Sequence, residues 1–249
     1  IEKNKVSMTQ TESNRGRGGL KAEKVNPDYN PDNKEIFDCG PTINKKHKFQ
    51  NLNYYSKNIW PQKPVLFQKY IMEFYELCNE IALSILKQIE LSLGYSNNYF
   101  ADKFDLPMAL LRCNYYPKRT KELTKKDYGI APHTDYGCLT LLFTEGDGGL
   151  EVELPTKQWE TIKAKKNEII INFGEMLEIW SNKQIKATPH RVIGNNNERF
   201  SIPFLPNRSI SCIWSESKGV FSAVPCISIN LPASVITRFM STSACESSS

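Results

Sequence analysis

Eight short runs between residues 109 and 205 constrain the fold of this chain more than any other feature. They read ALLRCNYY, GCLTLLF, GLEVEL, WETIKA, EIIINFG, EIWSN, ATPHRVI and RFSIPFL, and Gly, Pro, Asn or Asp bounds most of them. Closely spaced short strands between turn residues are typical of an antiparallel barrel or a double-sheet jelly roll. We therefore expect a mainly β fold with helical support, either an antiparallel barrel or a double-sheet jelly roll.

A long amphipathic helix is predicted before the strand series. Apolar residues recur at steps of three and four from Phe67 to Leu93, which is the spacing of one helix face. Pro64 suits the first helical turn and Gly94 suits the residue just past the end. The pattern predicts a helix over 64–93 with one face packed on the core.

Composition divides the chain into three segments. Residues 1–105 are expected to form a partial N-terminal region of loops plus the long helix, and 106–207 hold the strand series. The segment 208–249 is atypical, because it turns Ser-rich and poor in charge and ends in STSACESSS. We expect its end to be disordered.

Charge and cysteine usage narrow the class of protein. The net charge of +5, from 32 basic and 27 acidic residues, is too small to predict a nucleic-acid partner. The single RGRGG at Arg15–Gly19 is read as a flexible loop and not as an RNA-binding tract. Seven scattered cysteines without a C-x-x-C pair argue against disulfides and structural zinc, and favour a reducing cytoplasm. No run approaches ~18 apolar residues, so we expect no membrane association. We also expect the protein to be a monomer.

Two of the three histidines stand in a pattern suited to a metal ion. His133 and Asp135 are two positions apart in APHTDYGCLTLLF, so on a strand they would project from one face. His190 lies near the start of another predicted strand. Two imidazoles and one carboxylate can hold non-haem Fe(II) and leave coordination positions open. His47, in the basic KKHKF, is predicted to be a solvated surface residue.

Arg199 is a candidate anion-binding residue. Arg199 and Ser201 would share one face of a strand. A guanidinium fork beside a hydroxyl suits a bidentate carboxylate. On spacing alone, a surface Arg199 paired with Glu198 or another acidic residue is equally consistent with the sequence.

Several motifs occur in a fixed order along the chain. They are HTDYGCLTLL, GGLEV, INFGEMLEIWSN, HRV and RFSIPF, with NYYP at Asn114–Pro117 and NPDNKEIFDCG at Asn30–Gly40 upstream. Together they resemble the isopenicillin-N-synthase-like family of Fe(II)- and 2-oxoglutarate-dependent dioxygenases. The resemblance covers residues 27–207 and implies a distorted double-stranded β-helix, or jelly roll, braced by helices.

The resemblance also implies a set of site residues and cofactors. The implied Fe(II) ligands are His133, Asp135 and His190. The residues implied to bind the distal carboxylate of the co-substrate 2-oxoglutarate are Arg199 and Ser201. Those implied to contact co-substrate or substrate are Asn114 and Tyr116, although strand packing explains Tyr116 nearly as well. Ascorbate is a candidate reductant.

The implied activity is hydroxylation or desaturation of a small organic molecule with O₂, with succinate and CO₂ as co-products. Three alternatives stay open. One is an iron-dependent oxidase of the same family that does not use 2-oxoglutarate, since such members keep the R-x-S pair. A second is a zinc hydrolase with the same ligands. A third is a catalytically silent binding protein, because the family's N-terminal strand is absent and the segment after Phe204 departs from its closing strands.

Overall fold

The computed structural model describes residues 2–13, 15–43, 46, 51–96, 98–100, 104, 108–118, 124–144, 148–194, 197–206 and 227–230. Its strands are β1 (Gly16–Gly18), β2 (Glu35–Cys39), β3 (Leu110–Tyr116), β4 (Ile130–His133), β5 (Leu139–Thr144), β6 (Leu150–Glu153), β7 (Trp159–Thr161), β8 (Glu168–Phe173), β9 (His190–Val192), β10 (Arg199–Leu205) and β11 (Ile227–Asn230). The α-helices are α1 (Glu2–Lys5), α2 (Phe67–Ser92) and α3 (Glu175–Trp180), and 3-10 turns cover Met8–Gln10 and Asn53–Tyr55. Within these ranges, no helix is both long and apolar enough to cross a lipid bilayer.

The strands form two antiparallel sheets. The larger has the order β1-β2-β3-β10-β5-β8-β11 and the smaller has the order β4-β9-β6-β7. A small apolar cluster joins them, with Tyr116 and Ile170 from the larger sheet and Leu150 and Val192 from the smaller. The non-consecutive strand neighbours and the mainly β content confirm the predicted jelly roll.

The main core lies between α2 and the other face of the larger sheet. Ring pairs join them: Phe74 contacts Phe143 with centroids 4.8 Å apart, and Tyr75 contacts Phe204 at 5.1 Å. The alternating strand residues therefore bury one set of side chains under α2 and leave the other set for the space between the sheets. The long helix braces the jelly roll from outside, as predicted.

The ends of α2 differ slightly from the prediction. The helix begins at Phe67, three residues after Pro64, because the Phe67 N–H bonds back to the Pro64 carbonyl (3.0 Å) and closes a turn before the helix. It ends at Ser92, and Gly94 follows with φ 68°. Glycine tolerates this left-handed conformation, so the predicted C-terminal signal is confirmed.

The run EIWSN was wrongly predicted as a strand. Its first residues belong to α3 (Glu175–Trp180), in which Leu177 is buried and Ile179 is exposed. The backbone N–H groups of Glu175 and Met176 donate to the carbonyls of Asp135 and Gly137. These hydrogen bonds are made by the first residues of a helix and are not part of a β-sheet. They hold α3 against the loop after β4.

The prediction of a flexible loop at Arg15–Gly19 was also wrong. Gly16–Gly18 form β1, which pairs with β2. The Arg15 side chain is 1% exposed, and its guanidinium donates to the carbonyls of Tyr54, Pro41 and Ser56. The arginine thereby fixes the surrounding loops.

Part of the atypical C-terminal segment forms a strand. β11 (Ile227–Asn230) pairs antiparallel with β8, with Ile227 opposite Ile171 and Asn230 opposite Glu168. We had expected the segment after Phe204 to depart from the family's closing strands. That expectation was wrong for the four residues of β11. The predicted disordered end, 231–249, lies outside the described residues. The division of the chain into 1–105, 106–207 and 208–249 stays a prediction.

Candidate active site

The two candidate histidine ligands are cross-strand neighbours. β4 and β9 pair with His133 opposite His190, so both side chains project from the same face. Their ring centroids lie 4.3 Å apart. The Asp135 Oδ1 lies 3.8 Å from the Nε2 of each imidazole. One ligand atom from each of the three residues lies within 4.8 Å of the others, a spacing that could hold a single metal ion.

Asp135 reaches this point by a route that the sequence did not predict. β4 ends at His133, so the two residues do not share a strand face as expected. Asp135 lies in the loop beyond, where its carbonyl accepts the Glu175 N–H of α3 (2.8 Å). The carboxylate is therefore aimed by a loop held against the start of α3, and not by strand alternation.

Both imidazoles are held in the tautomer that a metal requires. The Nδ1 of His133 lies 2.8 Å from the Ala131 carbonyl, and the Nδ1 of His190 lies 2.9 Å from the Thr188 carbonyl. A carbonyl only accepts, so each Nδ1 carries the proton and each Nε2 presents its lone pair. Burial, helped by neighbouring His190, lowers the pKa of His133 to about 4. The imidazole is thus neutral near pH 7, as metal binding requires.

The Asp135 carboxylate is oriented by two donors. Its Oδ2 accepts from the Thr140 hydroxyl and from the Asn172 amide, each at 2.6 Å. Burial opposes ionisation, but His190 and these hydrogen bonds outweigh it and lower the pKa of Asp135. Oδ1 is left facing the imidazoles. The sequence interpretation missed both donors, although a lone polar residue inside the apolar run EIIINF could have pointed to Asn172.

Gly174 permits the close approach of the loop that carries Asp135. A Cβ at Gly174 would clash with the Gly137 carbonyl oxygen and lie 2.6 Å from that of Asp135. Gly174→Ala should therefore push the loop away and misplace the carboxylate. We expect Fe(II) binding about 10- to 100-fold weaker, the usual effect of disturbing groups that orient a metal ligand. Anaerobic Fe(II) titration measures this loss.

Gly19→Ala is the matched control for that substitution. A Cβ at Gly19 would contact only the Arg17 side chain, at 3.9 Å. Its Fe(II) affinity should equal that of the unaltered protein. A folded Gly174→Ala variant with unchanged Fe(II) affinity would show that this contact does not position Asp135.

Arg199 and Ser201 are buried on one face of β10. Arg199 is 7% exposed and Ser201 2%, whereas Phe200 between them is 57% exposed. This confirms the predicted alternation. Arg199 is not paired with Glu198, because Arg199 is buried, whereas Glu198 is exposed and accepts a hydrogen bond from the Tyr115 hydroxyl (2.9 Å). Across the described part of the chain, no carboxylate lies within ion-pair distance of Arg199.

The Arg199 guanidinium is only partly satisfied. Its Nη2 donates to the Thr144 hydroxyl (2.9 Å), while Nε and Nη1 are buried without a hydrogen-bond partner among the described residues. A buried cation with unused donors is costly unless an anion is bound. The geometry therefore suits a carboxylate ligand.

Asn114 and Tyr116 stand opposite this pair on the neighbouring strand. The register places Tyr116 opposite Arg199 and Asn114 opposite Ser201. The Asn114 Nδ2 donates to the Ser201 Oγ (3.1 Å), and the Arg199 guanidinium lies over the Tyr116 ring at 5.1 Å. Both residues are buried.

One cavity of about 400 Å³ brings all seven predicted site residues together. They are Asn114, Tyr116, His133, Asp135, His190, Arg199 and Ser201. Apolar side chains from both sheets complete the wall, namely Ile130, Leu142, Leu150 and Val192. His47 lies outside the described residues. Four charged residues that the sequence did not single out also line the cavity, namely Glu23, Lys24, Lys34 and Arg112.

Comparisons with known proteins agree with this geometry. The 2OG-Fe(II) oxygenase superfamily profile matches residues 107–207. A 2-oxoglutarate-Fe(II) type oxidoreductase of Aspergillus fumigatus is 31% identical over 212 residues, 82% of this chain and 63% of that protein. Homoarginine-6-hydroxylase 2-ODD-C23 of Glycine max is 34% identical over 205 residues, 79% of this chain and 61% of that protein. The chain thus spans about three-fifths of the length of these curated relatives.

The fold is also similar to solved structures. The crystal structure of a full-length Neurospora crassa protein in complex with alpha-KG and thymine superposes with a TM-score of 0.71. It is 26% identical, and the match covers 97% of this chain and 78% of that one. JOX2, solved in complex with 2OG, Fe and JA, gives a TM-score of 0.65 at 26% identity, covering 79% of this chain and 56% of that one.

Proposed function

The chain belongs to the 2OG-Fe(II) oxygenase superfamily, and on this premise we propose that it is a non-haem Fe(II)- and 2-oxoglutarate-dependent dioxygenase of a small organic molecule. The observation that carries the proposal is the buried Arg199, without a carboxylate partner among the described residues, in the same cavity as the His133, Asp135 and His190 cluster. A metal cluster alone would suit several chemistries. The adjoining cation adds a place for a dicarboxylic co-substrate.

The donor set fits ferrous iron. His133 and His190 would each offer a neutral Nε2, and Asp135 would offer Oδ1, which leaves further coordination positions open. Bound Fe(II) and 2-oxoglutarate would supply the oxidising chemistry with O₂ and give succinate and CO₂ as co-products. Thr140 and Asn172 hold the Asp135 carboxylate in one orientation, so the ligand need not reorganise when the metal binds.

Arg199 and Ser201 would bind the distal carboxylate of 2-oxoglutarate. Two guanidinium nitrogens, Nε and Nη1, have unused N–H groups, and a planar guanidinium can bind a carboxylate through two N–H groups. Ser201 accepts from Asn114 and can therefore direct its own hydroxyl proton towards the co-substrate. Tyr116 would cover the guanidinium with its ring. Leu142, Leu150 and Val192 would keep water from the reacting groups.

The remaining parts of the proposal concern substrate and setting. A small-molecule substrate is supported by similar proteins, since one is named for homoarginine and the Neurospora crassa structure contains thymine. Hydroxylation or desaturation, ascorbate as reductant, a cytoplasmic monomer and the lack of a nucleic-acid or membrane partner belong to the same proposal. The family oxidase that does not use 2-oxoglutarate is not favoured, because the relatives are named for 2-oxoglutarate.

Product analysis separates these functions. Protein loaded with Fe(II) under argon and then exposed to air with 2-oxoglutarate should form succinate, and Zn(II)-loaded protein should form none. Succinate can be measured by mass spectrometry even when the organic substrate is absent and turnover is slow. A zinc hydrolase or a silent binding protein would form no succinate with either metal, and that result would overturn the proposal.

A further inference from the structure

The cavity extends beyond the candidate co-substrate site along β3 and β10. Side chains two positions apart on these strands share one face, and each such step advances ~7 Å. The first row of cavity-lining residues is Tyr116 on β3 with Arg199 on β10. Three further rows follow along the two strands: Asn114 with Ser201, then Arg112 with Pro203, then Leu110 with Leu205. Arg112 therefore stands ~14 Å from the Tyr116 row, one row beyond Asn114 and Ser201.

Arg112 is the centre of a group of five charged residues, which we term the mouth cluster: Glu23, Asp32, Lys34, Asp38 and Arg112. The Arg112 guanidinium donates to Asp38 at 2.8 and 2.7 Å and to Glu23 at 2.9 and 2.8 Å. The Lys34 ammonium lies 3.0 Å from Glu23 and 3.6 Å from Asp32. Glu23, Lys34 and Arg112 line the cavity, and Glu23 has the most exposed side chain of the five.

The mouth cluster carries an excess of negative charge. Its three carboxylates face two cations, which leaves one negative charge uncompensated. Burial raises the pKa of Asp32 and of Asp38, and the neighbouring Lys34 and Arg112 oppose that rise. The exposed Lys24 also lines the opening, but water screens its charge more effectively.

The loaded metal centre would not alter this balance. A ferrous ion and Arg199 together contribute three positive charges, and Asp135 with the two carboxylates of 2-oxoglutarate contributes three negative ones. The sum is zero. The mouth cluster therefore determines the sign of the field that a substrate meets.

Asn114 supplies an independent indication of a ligand. It is 3% exposed and lines the cavity, and its Oδ1 has no hydrogen-bond partner within the described ranges. Its Nδ2 is used by Ser201. The dianion of 2-oxoglutarate has only acceptor oxygens and cannot donate to Oδ1, whereas a substrate with an N–H group can.

We infer that this end of the cavity binds a substrate with a cationic amine or guanidinium group, which donates to Glu23 or to Asn114 Oδ1. The inference deepens the proposed function and rests on it. A cation here compensates the mouth cluster and supplies the missing N–H donor. A substrate carboxylate at the same place would be repelled by the excess charge and would leave Asn114 Oδ1 unsatisfied.

Matched probes test this selectivity without turnover. Methylguanidinium and N-methylurea are close in shape and differ by one charge. Each is added to the full chain loaded with Fe(II) and 2-oxoglutarate under argon, and line broadening of its methyl proton signal by the iron reports occupancy of the cavity. We expect methylguanidinium to be bound about tenfold more tightly than N-methylurea, and acetate least of all.

Charge variants test whether the mouth cluster causes the preference for methylguanidinium. Glu23→Gln and Asp38→Asn each remove the excess charge, and each should reduce the tenfold preference to near unity. Asp38 does not line the cavity, so its effect would be electrostatic and not a lost contact. Lys24→Gln changes an exposed side chain and makes the opening more negative. It should increase the preference.

Equal binding of both probes, binding of neither, or a preference for N-methylurea or acetate would overturn the inference. A preference that Lys24→Gln decreases would overturn it too. The visible charge-transfer band of the iron–keto acid complex is recorded in the same samples. If that band forms and no cation preference is seen, only this inference fails. If the band never forms, the proposed function fails and the inference falls with it.

Discussion

His190→Ala is expected to abolish turnover and Fe(II) binding at the candidate centre. The Nε2 of His190 faces Asp135 Oδ1 at 3.8 Å and is one of three ligand atoms in the cluster. Disturbing groups behind a metal ligand already costs about 10- to 100-fold in affinity, so deleting a ligand should cost more. Anaerobic titration should give about one Fe(II) per chain for the unaltered protein and no measurable site for the variant.

His133→Ala and Asp135→Ala should have the same effect, and His47→Ala supplies the matched control. His47 is the third histidine of the chain, and its removal should leave Fe(II) stoichiometry and turnover unchanged. Retention of the metal by His190→Ala would show that the cluster is not the metal site. Tight zinc binding would not decide the matter, because affinity of such sites tends to favour zinc over ferrous iron.

Arg199→Ala should raise the 2-oxoglutarate concentration required for turnover by about two to four orders of magnitude. The substitution would leave the distal carboxylate of the co-substrate buried without a cation. Broken buried ion pairs cost roughly 3–5 kcal/mol, which corresponds to that range. Fe(II) binding should be largely intact, since Arg199 contacts Thr144 and the Tyr116 ring and none of the three ligands. Titration of 2-oxoglutarate into the Fe(II)-loaded variant measures the loss.

Two further substitutions sharpen the interpretation. Arg199→Lys should recover only part of the loss, because a lysine keeps the charge but lacks the planar fork. Arg17→Ala, which removes an arginine paired with Glu35 outside the cavity, should not change the 2-oxoglutarate requirement. An Arg199→Ala variant that needs no more 2-oxoglutarate than the unaltered protein would exclude Arg199 as the co-substrate anchor. The arginine would then be free to bind a carboxylate of the substrate itself.

Local alternation was enough to predict that Arg199 and Ser201 share one face of β10, but the family resemblance was needed to predict that this face is buried. Arg199 and Ser201 point into the cavity and Phe200 points out, because successive side chains of a strand point to opposite faces. Asn114 and Tyr116, which only the family resemblance had implied as site residues, likewise share one face of β3. Such positions depend only on nearest neighbours along the chain, so a sequence without a structure can give them.

The same rule failed where the chain leaves the sheet. Asp135 lies beyond the end of β4 and is aimed by contacts with α3. The helix itself was missed, since a run as short as EIWSN shows no period that separates helix from strand. Gly174, at the start of that helix, allows the contact through close packing of two backbone segments. Packing between segments so far apart in sequence leaves no local pattern to read.

The mouth cluster shows the same limit for charges. Arg112 and Asp38 meet across 74 positions of sequence, and Arg112 and Glu23 across 89. Each residue in isolation resembles an ordinary solvated charge. The pairing of β2 with β3 sets Asp38 opposite Arg112, and Glu23 reaches Arg112 from the segment before β2. The position of the cluster within the cavity, and hence the inferred cationic substrate, therefore required the structure.

Oxygen uptake by the anaerobically Fe(II)-loaded protein, measured with and without 2-oxoglutarate, tests the proposed dioxygenase activity most directly. We predict uptake only when 2-oxoglutarate is present, with one succinate formed per O₂ consumed, and no uptake by the Asp135→Ala variant. Uptake that proceeds equally without 2-oxoglutarate, or that survives the loss of Asp135, would contradict the proposal.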